Sequence, residues 1–415
     1  MHSISTIREP SRSLPVTGAY DIVVAGGGVA GVAAAVAAAR AGATVCLIDK
    51  MCALGGLATL GNVTVWLPIC DGRGRQVIGG IAEELLRLSV RDLKQDDRAA
   101  GLMGVPSCWE AGGDPAARVA TRFIARFNPG AYLLALEEWL LAAGVKLLYD
   151  TRACGVHRAR HRITHLIVEN KSGRSALACR AVVDATGDAD ICHWAGEATE
   201  TLDSNVASGW FYYLLDGALH LSQTSHPYSA ALLAGELTSR GYRGDDADDV
   251  TAQLIESRAL IRRDLSRLAI LHPAGTLQPF APPTLPCLRA TRRLVGAASL
   301  READMHVWRD DAACLTGDWR RRGPVFAITL DMLRGVTNRN LACAGRCISA
   351  DCSIWDCTRA IPTCAVTGEA AGTAAALAVR DCDGDLHKLE IGSLQTALRT
   401  RGNLLAPGLV AAAQA

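Results

Sequence analysis

Three glycines near the N-terminus have the spacing of a phosphate-binding turn. Gly26, Gly28 and Gly31 form the pattern G-x-G-x-x-G. The pattern follows an apolar, β-branched run at residues 20–25 and continues into an alanine-rich stretch at 32–41. In such a unit the first glycine makes the turn, the second admits a pyrophosphate, and the third lets helix and strand pack closely. The pyrophosphate would lie at the helix N-terminus, where free N–H groups favour an anion.

An acidic residue follows at the distance that a ribose-binding carboxylate requires. Residues 44–48 have the apolar character of a second buried strand, which ends at Asp49, 18 residues after the third glycine. A lone glycine pattern is often just a turn, but here strand, helix, second strand and acid occur in register. The sequence therefore predicts dinucleotide binding, with contacts from Gly26, Gly28, Val29, Ala30, Gly31, Asp49 and Lys50.

Three further segments resemble known flavoproteins. They are residues 54–59 (LGGLAT), residues 181–190 (AVVDATGDAD), and residues 340–350 with the following stretch 358–377. Together with the glycine pattern they are similar, in the same order, to FAD-binding proteins of the glutathione-reductase-like superfamily. The last segment resembles the FAD-dependent oxidoreductase family related to the fumarate reductase and succinate dehydrogenase flavoproteins. The resemblance implies further contacts to FAD from Gly55, Gly56, Leu57, Ala58, Thr59, Ala153, Ala185, Thr186, Gly187, Asp188, Gly345, Arg346, Arg359, Pro362 and Thr363.

The C-terminal segment reads as a helix whose start could serve the flavin. Pro362 suits the first turn of a helix, where its missing N–H costs nothing, and Gly368 and Gly372 favour close backbone contact. The partial positive charge of that helix start would stabilise a reduced, anionic flavin. Arg359 is expected to face the cofactor, since the helix dipole disfavours a cation there without an anion nearby. The alternative is an ordinary buried Ala/Gly helix, and Gly345-Arg346 upstream favours the flavin.

The order of these segments predicts an α/β fold with a split domain. We expect a Rossmann-like, three-layer ββα FAD-binding domain at residues 20–196 and 338–380, interrupted by an α+β substrate-binding domain at 197–337. Residues 1–19 are expected to be a flexible lead-in and 381–415 a helical tail. Within this plan a helix is predicted at 130–143, a strand at 145–149, a β-hairpin or meander at 152–167 and a helix at 249–268.

Arginines in the inserted domain are the main catalytic candidates. Residues 288–296 carry Arg289, Arg292 and Arg293 and resemble the arginine-bearing segment at the edge of the family's substrate domain. In the fumarate reductase relatives one arginine donates a proton and others hold carboxylates, for which the bidentate guanidinium is suited. Arg292 is the first candidate and Arg289 the second. The alternative for each is a salt bridge between the two domains. His193 is a further acid/base candidate, with a hydrogen-bonded structural histidine as its alternative.

The positions of the cysteines and histidines predict that FAD is bound noncovalently and that the chain holds no metal site. The chain has 15 cysteines without a C-x-x-C pair, so neither a thioredoxin-type dithiol nor a tetrathiolate zinc site is expected. We interpret the thiols as reduced and mostly buried, with a reactive thiol beside the flavin as the minority alternative. No histidine occurs between Asp49 and Thr59, where the covalently flavinylated relatives carry their attachment residue.

Composition and net charge limit the classes of partner that the chain is expected to bind. The chain has 415 residues and a formal net charge of +1, which argues against nucleic acid or an anionic membrane as the main partner. No secretory signal is apparent, so a cytoplasmic monomer or homodimer acting on a small molecule is expected. The resemblance implies an oxidoreductase that moves a hydride between a small organic substrate and FAD. The alternatives are a flavin monooxygenase or halogenase of related fold, and a non-catalytic binding protein on the same fold.

Overall fold

A mixed, mainly parallel sheet forms the centre of the molecule. The computed structural model describes residues 6–225 and 240–412. The strands of this sheet are β1 (Val16–Ala25), β2 (Val45–Ile48), β5 (Lys146–Leu148), β6 (Arg152–Ala159), β7 (Arg162–Asn170), β8 (Gly173–Asp184) and β16 (Leu341–Cys343). Their order is β5-β2-β1-β8-β7-β6, with β16 also paired to β8. The pairs β5–β2, β2–β1, β1–β8 and β8–β16 are parallel, and β8–β7 and β7–β6 are antiparallel.

Helices occur throughout the chain, and several of them pack against this sheet. In chain order those described are α1 (Val29–Arg40), α2 (Ile81–Ser89), α3 (Ala117–Ala120), α4 (Pro129–Ala142), α5 (Asp190–Trp194), α6 (Ala247–Leu271), α7 (Trp355–Thr358), α8 (Ile361–Asp381), α9 (Ile391–Thr400) and α10 (Pro407–Val410). Local caps explain two starts: the Asn128 side chain accepts N–H bonds at the beginning of α4, and Asp246 does so for α6. The predicted hairpin and the predicted helices at 130–143 and 249–268 are confirmed. Among the described residues, no helix has the length and apolarity needed to span a bilayer.

Helices α1 and α8 pack backbone against backbone. A Cβ on Gly368 would lie 2.2 Å from the Ala30 carbonyl oxygen, and one on Gly372 would lie 2.1 Å from that of Ala34. Both helices are almost completely buried, and their alanines fill the narrow space between them. The two glycines therefore make the close contact that their spacing predicts, and α8 is fixed over the glycine turn.

The strand β1 is longer than the sequence predicts. It begins at Val16, which pairs with Ala176 of β8, and the Pro15 carbonyl accepts a hydrogen bond from the Ala176 N–H. Residues 16–19 of the expected flexible lead-in are therefore part of the sheet. The apolar signal misses them because this end of the strand is solvent-exposed.

The inserted region forms its own layer. Strands β10 (Ser208–Leu215), β11 (Ala218–Ser225) and β12 (Leu277–Ala281) form an antiparallel sheet in the order β11-β10-β12. Helix α6 packs on it through a small separate core of Phe211, Tyr213, Ile261 and Leu268. The chain enters through β9 (Thr199–Thr201) and leaves through β13 (Arg292–Leu294), and these two strands pair with each other. We call the described residues between 202 and 291 the cap.

Two short antiparallel pairs complete the body. They are β3 (Val65–Trp66) with β4 (Ala125–Arg126), and β14 (Ala312–Gly317) with β15 (Val325–Thr329). Strands β14 and β15 belong to the main hydrophobic core, and Thr316 on β14 hydrogen-bonds Thr363 on α8 at 2.7 Å. The domain boundary at 337 stays a prediction, but this packing favours an earlier one, near β13. The C-terminal helix α9 also packs on the body, where Gln395 donates to the carbonyl of Ala312.

Candidate functional site

A cleft of about 960 Å³ lies at the carboxyl ends of β1, β2, β8 and β16, under the cap. Ligands of open α/β sheets bind at this edge. Of the predicted site residues, the following line it: Gly26, Gly28, Val29, Ala30, Asp49, Lys50, Gly55, Gly56, Leu57, Ala58, Ala185, Thr186, Gly187, Asp188, Arg289, Gly345, Arg346 and Arg359. We call the part formed by residues 26–30, 49–57 and 185–188 the nucleotide end.

The three fingerprint glycines have distinct steric surroundings. Gly26 has φ +106°, and a Cβ there would lie 2.4 Å from the Ala185 carbonyl oxygen. A Cβ on Gly31 would lie 1.8 Å from the Gly26 oxygen, so this glycine is needed for the turn to pack and does not line the cleft. At Gly28, no atom of the described residues comes within 4 Å of the Cβ position, which faces the cleft. Space is thus kept open at the N-terminus of α1.

Asp49 closes the nucleotide end. Its carboxylate accepts hydrogen bonds from the N–H groups of Gly27 at 2.5 Å and Met51 at 2.6 Å. Burial raises the pKa of Asp49, although these hydrogen bonds act to lower it. The second glycine loop is tied to the first, since the Gly55 N–H donates to the Gly27 carbonyl at 2.8 Å. Both loops are therefore held in one rigid unit around the open position at Gly28.

An ion pair crosses the middle of the cleft. Arg346 contacts Asp188 at 2.7 Å, and the Thr291 hydroxyl donates to the same carboxylate oxygen at 2.7 Å. Gly187 is required here, because it has φ +81° and its Cβ would lie 2.7 Å from the Arg346 guanidinium carbon. The Arg346 Nε is buried without a hydrogen-bond partner among residues 6–225 and 240–412. This orphaned donor in the cleft wall fits a polar ligand.

The start of α8 reaches the same cleft. Ile361 and Cys364 line it, whereas Pro362 and Thr363 are buried behind them. Pro362 lies in the first turn, as predicted. The Cys364 thiol donates to the Arg359 carbonyl, and burial raises its pKa to about 12. Arg359, also in the lining, contacts Asp356 at 2.6 Å.

The catalytic candidates occupy different places. Arg289 lines the cleft, while Arg292 is buried behind it. Arg292 donates to the Asp188 carbonyl at 2.8 Å and pairs with Asp190 at 2.5 Å, so it joins β13 to the loop after β8. His193 lies exposed on α5, outside the lining. Their catalytic roles stay predictions.

Two other predicted contacts lie outside the lining. The Thr59 hydroxyl donates to the Leu54 carbonyl at 2.5 Å and so stabilises the second glycine loop from within. Ala153 lies at the start of β6, two residues after Thr151, whose N–H donates to the Asp49 carbonyl at 2.9 Å. Both remain predicted contacts, and Ala153 is next to the residues that hold the nucleotide end.

Apart from Leu288 and Arg289 of the arginine-bearing segment, several further lining residues lie outside the sequence motifs described above. On the body they come from two segments with alternating orientation, residues 63–67 and 124–126. From the cap they come from β10, β11, α6 and the loop 285–289. We call this the cap end: Val63, Val65, Leu67, Ile124, Arg126, Trp210, Gln223, Thr224, Ser225, Val250, Leu285, Pro286, Cys287, Leu288 and Arg289. On the body side, the strand-like alternation of residues 63–67 and 124–126 is a sequence signal by which these lining residues could have been found.

The cleft fits a dinucleotide. No side chain of the described residues caps α1, so its first N–H groups are available to a pyrophosphate beside the open Gly28. A carboxylate for ribose hydroxyls follows at Asp49, and the cleft continues to a second helix start at α8. The fold and this site together define a dinucleotide-binding architecture of the α/β class.

The family follows from a direct match. A family model described as FAD dependent oxidoreductase matches residues 21–208 and 303–398, well over half of the chain. The chain belongs to this family. The prediction of FAD as the cofactor of an FAD-dependent oxidoreductase is thereby confirmed.

Solved structures match at low sequence identity. A geranylgeranyl bacteriochlorophyll reductase-like protein of Thermoplasma acidophilum is 14% identical, with a TM-score of 0.44, over 92% of this chain and 84% of that chain. A 3-ketosteroid-delta4-(5alpha)-dehydrogenase of Rhodococcus jostii RHA1 is 13% identical, with a TM-score of 0.40, over 87% and 97%. The anhydrotetracycline hydroxylase OxyS of Streptomyces rimosus is 13% identical, with a TM-score of 0.40, over 92% and 66%. No curated protein sequence matches the chain significantly.

Proposed function

We propose that the cleft holds FAD noncovalently, with the pyrophosphate at the start of α1 and a ribose at Asp49. The observation that carries this is the open position at Gly28, next to an uncapped helix start and in the same cleft as the carboxylate. Backbone N–H groups and the helix dipole then stabilise the pyrophosphate, so no cluster of lysines is needed. The N–H groups of Gly27 and Met51 hold the Asp49 carboxylate in place for the ribose.

The start of α8 and the cap end would surround the flavin ring and the substrate. When bound, FAD supplies the redox chemistry by accepting or donating a hydride. The dipole of α8 favours negative charge at its N-terminus, where Ile361 and Cys364 line the cleft. The Arg346 Nε offers a donor without a protein acceptor in the described stretches. The apolar residues of the cap end would exclude water from the reacting atoms.

We assign the two arginine candidates different roles. Arg289 lines the cleft, so it is placed to bind substrate or to move a proton. Arg292 is committed to Asp190 and to the Asp188 carbonyl, so it acts as a positioning residue between cap and body. His193 is the weaker acid/base candidate because it is exposed outside the cleft.

A closer relationship to the fumarate reductase flavoproteins is part of this proposal. Its support is the closing segment, in which β16 joins the sheet beside β8 and α8 crosses α1. A cytoplasmic monomer or homodimer also remains a proposal. The proposed compartment, as distinct from the oligomeric state, is supported by fifteen cysteines, all described, of which none forms a disulfide.

The proposal is tested by FAD binding to a pair of glycine variants. In Gly28→Ala the new methyl group meets no described protein atom, so the fold should survive while the pyrophosphate loses its space. We expect a rise in the Kd for FAD of tenfold or more, measured by equilibrium dialysis of the refolded or deflavinated protein. Gly392→Ala on α9, where a Cβ is also unobstructed, is the matched control and should bind as wild type does. A wild-type protein that takes up no FAD contradicts the proposal.

A further inference from the structure

Arg126, at the cap end of the cleft, differs from Arg346 and Arg359 in having no ion-pair partner among the described residues. Arg346 is paired with Asp188, and Arg359 with Asp356. The guanidinium of Arg126 lines the cleft and is exposed to it. Within residues 6–225 and 240–412, neither a carboxylate nor another hydrogen-bond acceptor contacts this guanidinium. A cation held in a cleft without its anion is suited to an anionic ligand.

The backbone of Arg126 is firmly held. It pairs with Val65 in the β3–β4 ladder, and it exchanges two hydrogen bonds with Met103, at 2.8 and 3.0 Å. Because side chains alternate along a strand, Phe123, Ala125 and Phe127 are buried in the body. Arg126 is therefore turned towards the cleft by the strand itself.

Arg126 belongs to the cap end, away from the expected pyrophosphate. Its charge acts on the hydroxyl of Tyr212 on the cap strand β10, which hydrogen-bonds Thr64 at 3.3 Å. Burial raises the pKa of Tyr212, so this hydroxyl stays neutral and cannot serve as the anion. The body segment before β3 also contacts the cap, where the Leu60 carbonyl accepts from the Thr284 N–H at 2.8 Å.

The surroundings of Arg126 are mostly apolar. The body side of the lining is apolar there, with Val63, Val65, Leu67 and Ile124. The cap adds apolar residues such as Trp210 and a few polar ones from β11, among them Gln223 and Thr224. Among described residues the lining acids are Asp49 and Asp188 at the nucleotide end and Asp356 beside Arg359. The cap end thus combines an apolar surface with an unbalanced guanidinium, whose fork matches a carboxylate.

We infer that Arg126 binds the carboxylate of the substrate, and that the substrate is an organic acid with an apolar body. This inference rests on the proposed function, since it places the substrate at the cap end of a cleft that holds FAD. The planar guanidinium fixes the orientation of the acid through two parallel hydrogen bonds. The apolar wall holds the remainder of the molecule by burial.

The test uses the FAD-loaded protein and paired probes. Benzoate, phenylacetate and hexanoate are titrated against benzamide, phenylacetamide and hexanamide, and binding is followed by the change in the visible absorption of the flavin. We expect at least one acid to bind about tenfold or more tightly than its amide, as is typical of a charge-assisted contact. Arg126→Gln should abolish that preference, and Arg126→Lys should keep part of it.

Controls separate this inference from the proposed function. Arg263→Gln removes the same charge from the exposed side of α6 and should leave the preference unchanged. Equal binding of acids and amides, no binding by any acid, or a preference that survives Arg126→Gln overturns the inference while FAD binding stands. A preference lost in Arg289→Gln but not in Arg126→Gln also overturns it. Failure to take up FAD is seen before any titration and contradicts the proposed function instead.

Discussion

The two ends of the cleft present different chemical groups to a ligand. At the nucleotide end, three loops each follow a parallel strand and present backbone groups and glycines, including Gly26, Gly28 and Gly187. At the cap end, side chains arrive from body strands, cap strands and the loop 285–289, which are far apart in the chain. Backbone recognition leaves a compact sequence pattern, whereas side-chain recognition does not.

This difference assigns the two ends different tasks. At the turn glycines Gly26 and Gly31, an added Cβ would lie less than 3 Å from backbone atoms. The nucleotide end therefore cannot vary much in sequence without loss of the fold. The cap end has its own small core and can change its lining residues without disturbing the sheet. We therefore expect stability effects to be largest near the glycine turn, and ligand specificity to be set at the cap end.

The largest effect is expected for Gly31→Ala. Its methyl group would lie 1.8 Å from the Gly26 carbonyl oxygen, and both partners are backbone. We expect a loss of about 3 kcal/mol or more in the free energy of unfolding, which is typical of severe overpacking. Urea denaturation of the protein without FAD measures it.

Gly28→Ala is the comparison for that variant. The same methyl group there meets no described atom within 4 Å, so the free energy of unfolding should change by less than about 1 kcal/mol. Similar losses in both variants would mean that the open position at Gly28 is needed for folding, and not for a ligand.

The seam between cap and body should show the next largest effect. Arg292→Met leaves Asp190 without its 2.5 Å partner. The pKa of Asp190 is already raised to about 6, mainly by burial. Because the Asp190 side chain is 31% exposed, removing its partner should cost about 2 kcal/mol, less than the loss typical of a fully buried pair. We expect a loss of about that size in urea denaturation, with less than a threefold change in the Kd for FAD.

Arg289→Met sharpens this prediction. Arg289 lines the cleft, so its removal should cost less than about 1 kcal/mol of stability while affecting ligand binding at the cap end. If Arg292→Met leaves stability unchanged but weakens binding of acid probes, then Arg292 is a binding residue, as the sequence first suggested.

The same contrast explains what the sequence could predict. The strand–turn–helix unit around Gly28, the position of Pro362 and the close contact at Gly368 and Gly372 all follow from local rules, and the structure contains them. The alternation around Arg126 indicates a strand, but no local pattern indicates that this side chain lines the cleft. That position depends on a strand pairing with Val65 and on a cap strand far along the chain.

Arg292 shows the opposite limitation. Its residue type and segment suggested chemistry, but whether an arginine faces a ligand or a carboxylate depends on what packs against it. Here Asp190, about a hundred residues earlier in the chain, occupies that position. The sequence cannot show such a partner, since nothing in the spacing indicates the contact.

A pH-dependent effect of similar size is expected at Glu369, on the buried part of α8. Its Oε2 accepts hydrogen bonds from the Ile81 N–H at 3.0 Å and from Asn403 at 3.2 Å. Burial raises its pKa from 4.5 to about 7. The folded protein therefore binds a proton between pH 4.5 and 7 that the unfolded chain releases, so stability falls as the pH rises through that window.

Glu369→Gln should remove this slope. Relative to wild type, we expect the variant to lose about 2 kcal/mol less on going from about pH 5 to about pH 8, in urea denaturation without FAD. Glu138→Gln, at an exposed position on α4, is the control and should keep the wild-type slope. Identical slopes in wild type and Glu369→Gln would show that the carboxyl is already ionised at low pH.

The smallest effect is expected for Cys364, the thiol at the start of α8. Its pKa is raised to about 12, so at neutral pH it is a protonated donor to the Arg359 carbonyl and a poor nucleophile. Iodoacetamide at about pH 8 should modify Cys52 and Cys352, which are exposed, well before Cys364, as read by peptide mass spectrometry. Cys364→Ala should change the Kd for FAD less than twofold. Rapid labelling of Cys364 that bound FAD blocks would instead show a reactive thiol at the flavin, and would make this helix start a chemical as well as an electrostatic part of the site.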